Sequence, residues 1–141
     1  MSRFTQTLGI HYFFLNVKEI KSNTNVQNIF MNKIVLKKQF SDKVFLFEIE
    51  APLIAKSRKA GNFVIVRVGN NGERIPLTIA DADKERGTIT IVVQKVGLSS
   101  SKLCALQEGE YITDVVGPLG NPTHIENFGT VICAGGGALY I

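Results

Sequence analysis

The sequence predicts a mainly β protein, built as a six-stranded antiparallel barrel with one short helix. Six short runs rich in β-branched and aromatic residues follow one another at close spacing. Turn-forming residues separate these runs, and one helical segment precedes the sixth, a pattern typical of small antiparallel barrels. The 141 residues are enough for one ordinary domain with a core of useful size.

The first half of the barrel is expected from three strand runs. In the second of these, Phe45, Phe47 and Ile49 alternate with other residues and would share one buried face. The runs cover residues 33–38, 44–50 and 63–68, and a short basic segment compatible with a helix covers residues 52–59.

The second half of the barrel follows a clear turn at residues 69–72. A charged turn is expected at residues 81–87, and serines cap the start of the predicted helix. The three further strand runs cover residues 74–80, 88–96 and 111–116, and the helix covers residues 99–106.

A seventh apolar run, at residues 130–134, has a different character. It is continuous, like a strand buried on both faces of a parallel sheet, and three glycines follow it. The first strand of a dinucleotide-binding α/β domain begins in this way. We therefore divide the chain into an extension at residues 1–31, a barrel at 32–128 and the stub of a nucleotide-binding domain at 129–141.

The extension at residues 1–31 differs from the rest of the chain in its sequence pattern. Its apolar run at residues 9–15 is short, and no clear cleavage site follows it. We expect a disordered or loosely attached segment, with a helix packed on the domain as the alternative.

Composition argues against several classes of function. No apolar run approaches the roughly 20 residues that cross a bilayer, and Cys104 and Cys133 cannot build a disulfide-rich scaffold. No Cys/His cluster has the spacing of a metal site. The net charge of +4 comes from interspersed acids and bases, without the basic stripe of a nucleic-acid-binding protein. A reducing cytosol is the simplest location.

The most informative stretch runs from Arg74 to Thr78. Alternation in a strand puts Arg74, Pro76 and Thr78 on one face, spread over about 13 Å at roughly 3.3 Å per residue. This spacing suits a ligand with a phosphate at one end and a hydrogen-bonding ring at the other, because the arginine fork matches a pyrophosphate. On spacing alone, a surface arginine and an ordinary strand threonine remain the simpler interpretation.

Two further stretches are typical of loops that contact ligands. Residues 96–101 place a glycine and three serines at a helix start, where free backbone amides can hold an anion. Taken alone, plain capping is the simpler explanation of the same residues. Residues 117–122 contain two glycines and two prolines and, taken alone, form only a tight turn.

The order of these motifs resembles the ferredoxin–NADP⁺ reductase superfamily. The resemblance covers residues 32–137 and is closest to the ferredoxin–NADP⁺ reductase alpha subunit, also called the sulfide dehydrogenase small subunit, which is similar to the dihydroorotate dehydrogenase electron-transfer subunit. The motifs in order are Gly61-Asn62-Phe63-Val64, Arg74-Ile75-Pro76-Leu77-Thr78, Val96-Gly97 with its serines, Gly117-Pro118-Leu119-Gly120 and Cys133-Ala134-Gly135-Gly136-Gly137.

The resemblance implies a Greek-key barrel that binds FAD, followed by a pyridine-nucleotide domain. It implies that Arg74 contacts the FAD pyrophosphate and that Thr78, the catalytic candidate, hydrogen-bonds the flavin ring near its redox-active nitrogen. Pro76 and Leu77 would set the strand edge against the flavin. The ribityl and phosphate side would be lined by Gln94, Val96, Gly97, Ser99, Ser100 and Ser101, and the NAD(P) site would begin at Gly135 and Gly136.

The implied function is the flavin half of an electron-transfer oxidoreductase that links NAD(P)H to an iron–sulfur carrier. Ferredoxin or a larger oxidoreductase subunit would be the partner. The pattern after Gly137 departs from the family, and the cysteine cluster that holds a [2Fe–2S] centre in these relatives is not in the sequence. We therefore expect this chain to be incomplete and inactive by itself. The alternative is a non-enzymatic β-barrel interaction module.

Overall fold

The computed structural model describes residues 32–132, which form seven strands and two helices. The elements in chain order are β1 (Asn32–Ser41), β2 (Val44–Glu50), α1 (Pro52–Ser57), β3 (Phe63–Arg67), β4 (Ile75–Asp83), β5 (Thr88–Gln94), α2 (Leu98–Ala105), β6 (Tyr111–Ile112) and β7 (Asp114–Leu119).

All strand pairs are antiparallel, and the strand order is β6-β1-β2-β5-β4-β3-β7. The strands β6 and β7 are separated only by Thr113, yet they lie at opposite ends of this order. At this residue the chain therefore changes its pairing partner, from β1 for β6 to β3 for β7. This change nearly closes the sheet into a barrel. The predicted mainly β barrel is confirmed. It has seven strands instead of six because the strand predicted at residues 111–116 is split into β6 and β7, which pair with different strands.

The core lies between the inward faces of the strands. In β2, Phe45, Phe47 and Ile49 are buried, and Phe47 pairs with the buried Ile91 of β5. The alternation expected for this strand is therefore confirmed. Burial of a large apolar side chain contributes about 1.5–3 kcal/mol, and this cluster is the main source of the barrel's stability.

Two predicted boundaries differ from the structure around the β4–β5 hairpin. The strand β4 continues to Asp83 because residues 81–83 pair with β5, where a charged turn was expected. The turn itself is shorter, and the Asp83 carboxylate closes it by accepting hydrogen bonds from the amides of Glu85 and Arg86, both at 2.9 Å. At its other end, β5 stops at Gln94.

The predicted seventh run is not a strand over residues 130–132, its described half. No described strand lies beside these residues to complete a hydrogen-bonded ladder. The rest of that run, the glycines Gly135 and Gly136, and the extension at residues 1–31 lie outside the described residues. The division into three domains therefore stays a prediction. Between residues 32 and 132, neither helix is long and apolar enough to cross a bilayer.

Candidate cofactor site on the outer face of the barrel

The outward face of β4, together with the residue just before the strand, carries the three exposed residues that the alternation predicts. Arg74, Pro76 and Thr78 are exposed, whereas Leu77 is half-buried and Ile79 is buried. Pairing with β3 fixes this register, because Pro76 lies opposite Ile65 and Thr78 lies opposite Phe63. The structure thus presents a guanidinium and a hydroxyl at the two ends of one exposed strip.

The strand β4 changes its partner in the middle of the strip. It pairs with β3 as far as Thr78, and it pairs with β5 only from Ile79 onward, opposite Ile91. Residues 92–94 of β5 pair only with β2. The two strands therefore diverge and leave facing edges that have no partner strand within residues 32–132. The exposed Gln94 ends the β5 side of this opening.

The helix α2 starts where the opening ends. Its N-cap, Gly97, has an extended backbone, and a Cβ there would meet no atom within 4 Å. The Ser100 hydroxyl accepts hydrogen bonds from the amides of Val96 at 3.0 Å and Gly97 at 2.9 Å, and it donates to the Gly97 carbonyl. The predicted serine at this position therefore shapes the loop, because its hydroxyl is fully used by the helix start.

The backbone amides in the first turn of α2 remain open. Within the described part of the chain, the amides of Leu98, Ser99 and Ser100 donate no hydrogen bond, as expected for the first turn of a helix. The helix dipole adds partial positive charge at the same end. The side chains of Ser99 and Ser101 are half-buried, and Val96 is 78% exposed. Together these features fit the binding of an anionic group.

A hydrogen bond joins the start of α2 to the residue before Arg74. The Ser99 hydroxyl donates to Oε2 of Glu73 at 2.9 Å, and both residues line a small cavity between α2 and the turn before β4. The two predicted anion-binding elements, Arg74 and the α2 N-terminus, are therefore neighbours at one end of the barrel.

The guanidinium of Arg74 is held by a residue that the sequence does not single out. Its Nη2 donates to Oδ2 of Asp114 at 3.2 Å, and Nε of Arg67 donates to the same oxygen at 2.7 Å. The Arg74 side chain is 59% exposed. Because 40 residues separate Arg74 from Asp114, no local pattern could have identified this contact.

The glycine–proline turn at residues 117–120 is fixed beside the Thr78 end of the strip. The buried Asn62 donates from Nδ2 to the carbonyls of Leu119 at 3.1 Å and Gly120 at 3.0 Å. Gly120 has a φ of +82°, and a Cβ there would lie 2.9 Å from the Phe63 ring. Since Phe63 is the β3 partner of Thr78, the third motif lies next to the other two.

Cys104, on the short helix α2, is a core residue. Its thiol is buried, and burial raises the pKa of that thiol, while the positive charges of Lys37 and Lys95 lower it. Cys133 lies outside the described residues. Residues 32–132 contain no group of three His, Cys, Asp or Glu side chains that could hold a metal ion.

The strand order, the exposed strip on β4 and the adjoining helix start together define a barrel of the ferredoxin reductase type. A solved structure of the NADH-dependent reduced ferredoxin-NADP oxidoreductase, described for flavin-based electron bifurcation, shares this fold with a TM-score of 0.68 and 46% sequence identity. The match covers 70% of this chain and 36% of that one. Phthalate dioxygenase reductase shares the fold at 24% identity and a TM-score of 0.55, over 64% of this chain and 30% of that one.

Sequence relatives agree with the structural match. The dihydroorotate dehydrogenase B (NAD⁺) electron transfer subunit homolog of Thermotoga maritima is 47% identical over 107 residues, which is 76% of this chain and 38% of that relative. An uncharacterized protein of Clostridium beijerinckii is 53% identical over 93 residues, 66% of this chain and 31% of that relative. No family model matches the chain.

The chain is homologous to the electron transfer subunits of dihydroorotate dehydrogenase B and to the ferredoxin-NADP oxidoreductase of the solved structure. This similarity confirms the resemblance that the order of motifs indicates. The matched region spans only about a third of the length of these two curated relatives, at 31% and 38%.

Proposed function

We propose that this barrel is the FAD-binding module of an electron-transfer oxidoreductase. One observation carries the proposal: an exposed guanidinium and the open amides of a helix start are neighbours at one end of a strip that ends in an exposed hydroxyl. A dinucleotide with a central pyrophosphate and an aromatic ring system has groups that match the two ends of this strip. The homology to electron transfer subunits supports the same cofactor class.

The pyrophosphate would lie between Arg74 and the first turn of α2. Arg74 uses only Nη2 in its contact with Asp114, so its remaining N–H groups can donate to phosphate oxygens. The first-turn amides of Leu98 and Ser99 would donate to oxygens of the same pyrophosphate. The Ser99 hydroxyl would exchange Glu73 for a phosphate oxygen, and Ser100 would keep its role in holding the loop.

The flavin ring would lie along the strip toward Thr78. Pro76 and Leu77 would provide an extended edge, and the diverging edges of β4 and β5 leave backbone groups available for hydrogen bonds to the ring and the ribityl chain. The Thr78 hydroxyl can donate or accept one hydrogen bond near the redox-active nitrogen. The ribityl side would be completed by Gln94, Val96, Gly97 and Ser101.

Bound FAD supplies the chemistry of hydride acceptance and single-electron transfer. The residues of this chain bind the cofactor, orient it and tune its potential. We propose NAD(P)H as the electron donor and an iron–sulfur carrier as the acceptor, either ferredoxin or a [2Fe–2S]-containing partner subunit. The names of the relatives, an electron transfer subunit and a ferredoxin-NADP oxidoreductase, support electron transfer between a pyridine nucleotide and an iron–sulfur protein.

An exposed basic surface on α1 and the residues after it suits an acidic partner. Lys56 and Lys59 are exposed, whereas Arg58 donates to the Asp81 carboxylate at 3.0 Å and is only 23% exposed. Two lysines therefore contribute the charge that would steer an acidic carrier toward the barrel. A cytoplasmic location is part of this proposal.

We further propose that a polypeptide of these 141 residues binds FAD but reacts slowly with NAD(P)H. Fast hydride transfer requires the nicotinamide to be held near attack distance over the flavin. The region that this chain matches is 31% and 38% of the length of two relatives, so about two thirds of each relative lies outside it.

The visible spectrum of the purified 141-residue protein tests the proposed function. A yellow protein with flavin absorption bands supports it. A colourless protein that binds FAD saturably on titration supports it equally. Failure to bind FAD, together with a folded circular dichroism spectrum, would contradict it and favour a β-barrel interaction module. Anaerobic mixing of the FAD-loaded protein with NADH and NADPH then measures the rate of flavin bleaching, which we expect to be slow with both.

A further inference from the structure

We propose that Asp114 is a positioning residue for Arg74, whose guanidinium it holds in the orientation that receives the cofactor pyrophosphate. The inference deepens the proposed FAD site and rests on it. It concerns a carboxylate that the sequence motifs do not contain and that touches the proposed cofactor only through Arg74.

The Asp114 carboxylate is itself firmly held. Arg67 and Asp114 are directly opposite each other in the β3–β7 pair, and Nε of Arg67 donates to Oδ2 of Asp114 at 2.7 Å. Nη1 of Arg67 also donates to the carbonyl of Asn70, which ties the guanidinium to the turn before β4. The Arg67 and Asp114 side chains are 20% and 28% exposed, so the pair is mostly shielded from water.

Arg74 is attached to this pair by one edge only. Its Nη2 donates to the same Oδ2 at 3.2 Å, and its Nε and Nη1 have no partner within residues 32–132. The attachment crosses β3, because Asp114 is on β7 and Arg74 immediately precedes β4. The carboxylate thus fixes one side of the fork while the other side stays open to a ligand.

Holding Arg74 in advance favours binding because a long side chain that is already ordered loses less conformational entropy when a ligand arrives. The charge of Asp114 works in the opposite direction, since a carboxylate near the site repels a pyrophosphate. Arg67 offsets that repulsion, and the cluster of Arg67, Asp114 and Arg74 keeps a formal charge of +1 from two cations and one anion. We therefore expect orientation to outweigh repulsion.

The experiment measures the affinities of the 141-residue protein for FAD and for riboflavin by fluorescence titration at fixed ionic strength. Asp114→Ala should weaken FAD binding about two- to fivefold, the size expected for a part-exposed ion pair. Riboflavin binding should not change, because riboflavin has no phosphate for Arg74 to contact. In the Arg74→Ala background, Asp114→Ala should cause no further loss of FAD affinity, because Asp114 favours binding only through Arg74.

Asp114→Asn provides a second variant if the alanine protein does not fold. The amide oxygen still accepts a hydrogen bond, so a smaller loss of FAD affinity is expected. Asp81→Asn is the matched control, because Asp81 also accepts from an arginine, at 3.0 Å from Arg58, and its loss should leave FAD affinity unchanged. Circular dichroism melting curves confirm that each variant is folded.

Four results would overturn the inference. Tighter FAD binding by Asp114→Ala would show that repulsion between Asp114 and the pyrophosphate dominates. Unchanged binding would show that Asp114 does not affect the cofactor. An equal loss of riboflavin affinity would indicate a general structural role. Additive losses in the double variant would show that Asp114 does not act through Arg74. If the unsubstituted protein itself bound no FAD, the proposed function and this inference would both fail.

Discussion

The Ser99 hydroxyl donates a hydrogen bond of 2.9 Å to Oε2 of Glu73, and this contact joins the start of α2 to the residue that precedes Arg74. The Glu73 carboxylate therefore occupies a donor that the proposed site offers to a phosphate. A cofactor pyrophosphate would have to displace this carboxylate and would meet its negative charge.

Neutralising Glu73 should therefore tighten FAD binding. For Glu73→Gln we expect an increase in affinity of about two- to fivefold at low ionic strength, because a repulsive charge at an exposed position is removed. The gain should shrink as salt is added, because exposed charges are screened. Titrations with FAD at two salt concentrations measure both effects.

Glu85→Gln is the matched control for that charge change. Glu85 is an exposed glutamate in the turn at the other end of β4, so its neutralisation should leave FAD affinity unchanged. An affinity of the Glu73→Gln protein equal to that of the Glu85→Gln protein would contradict the placement of the phosphates beside Ser99.

Arg74 should contribute strongly to FAD affinity. Arg74→Ala is expected to weaken binding by about 1.5–3 kcal/mol, the usual contribution of a hydrogen bond to a charged group. Titration of the cofactor-free protein with FAD measures the change, and Lys84→Ala, which removes an exposed cation beyond the far end of β4, serves as the control. An unchanged affinity in the Arg74→Ala protein would rule out a contact with the pyrophosphate.

Thr78 should tune the flavin more than it holds it. A single neutral hydroxyl contributes about 1 kcal/mol at most to binding, so Thr78→Val should keep FAD affinity within several-fold. The same change should shift the reduction potential or the absorption bands of the bound flavin, because a hydrogen bond near the ring is lost. Thr78→Ser keeps the hydroxyl and should restore both. A Thr78→Val protein with an unaltered spectrum and potential would show that this hydroxyl does not contact the ring.

Much of the fold could be predicted from local pattern. The alternation of β2 and the β-branched run of β5 place both strands correctly, because side-chain period and burial are local properties of a strand. The division between β6 and β7 at Thr113 could not be predicted in this way. It depends on which strand each half pairs with, and those partners, Asn32–Ser41 and Phe63–Arg67, are distant in the sequence.

The candidate site, like the fold, could be predicted only where it depends on local sequence pattern. The common face of Arg74, Pro76 and Thr78 follows from strand period, and the structure confirms their exposure. The roles of those residues toward a cofactor stay predictions. The sequence does not single out Asp114 or Glu73, because both contacts join residues that are distant in the chain. Asp114 accepts from Arg74 across a neighbouring strand, and Glu73 accepts from Ser99 of α2.

Asn62 should be important for stability, because it connects the start of β3 to the turn at residues 117–120. It is 6% exposed, and its side chain makes three hydrogen bonds, accepting from the amide of Lys59 at 2.8 Å and donating to the carbonyls of Leu119 and Gly120. Asn62→Ala should lower the free energy of unfolding by about 2–3 kcal/mol, because it leaves three part-buried backbone groups without their partner. Urea denaturation measures the change.

Asn62→Asp separates the two halves of this connection. The carboxylate can still accept from the Lys59 amide, but it places an oxygen against the carbonyls of Leu119 and Gly120, so this variant should be at least as destabilised as Asn62→Ala. Asn71→Ala, an exposed asparagine in the turn before β4, is the control and should change stability by less than about 0.5 kcal/mol. If Asn62→Asp were as stable as the parent protein, the two carbonyl contacts would contribute nothing, and the turn at residues 117–120 would be held beside Phe63 by packing alone.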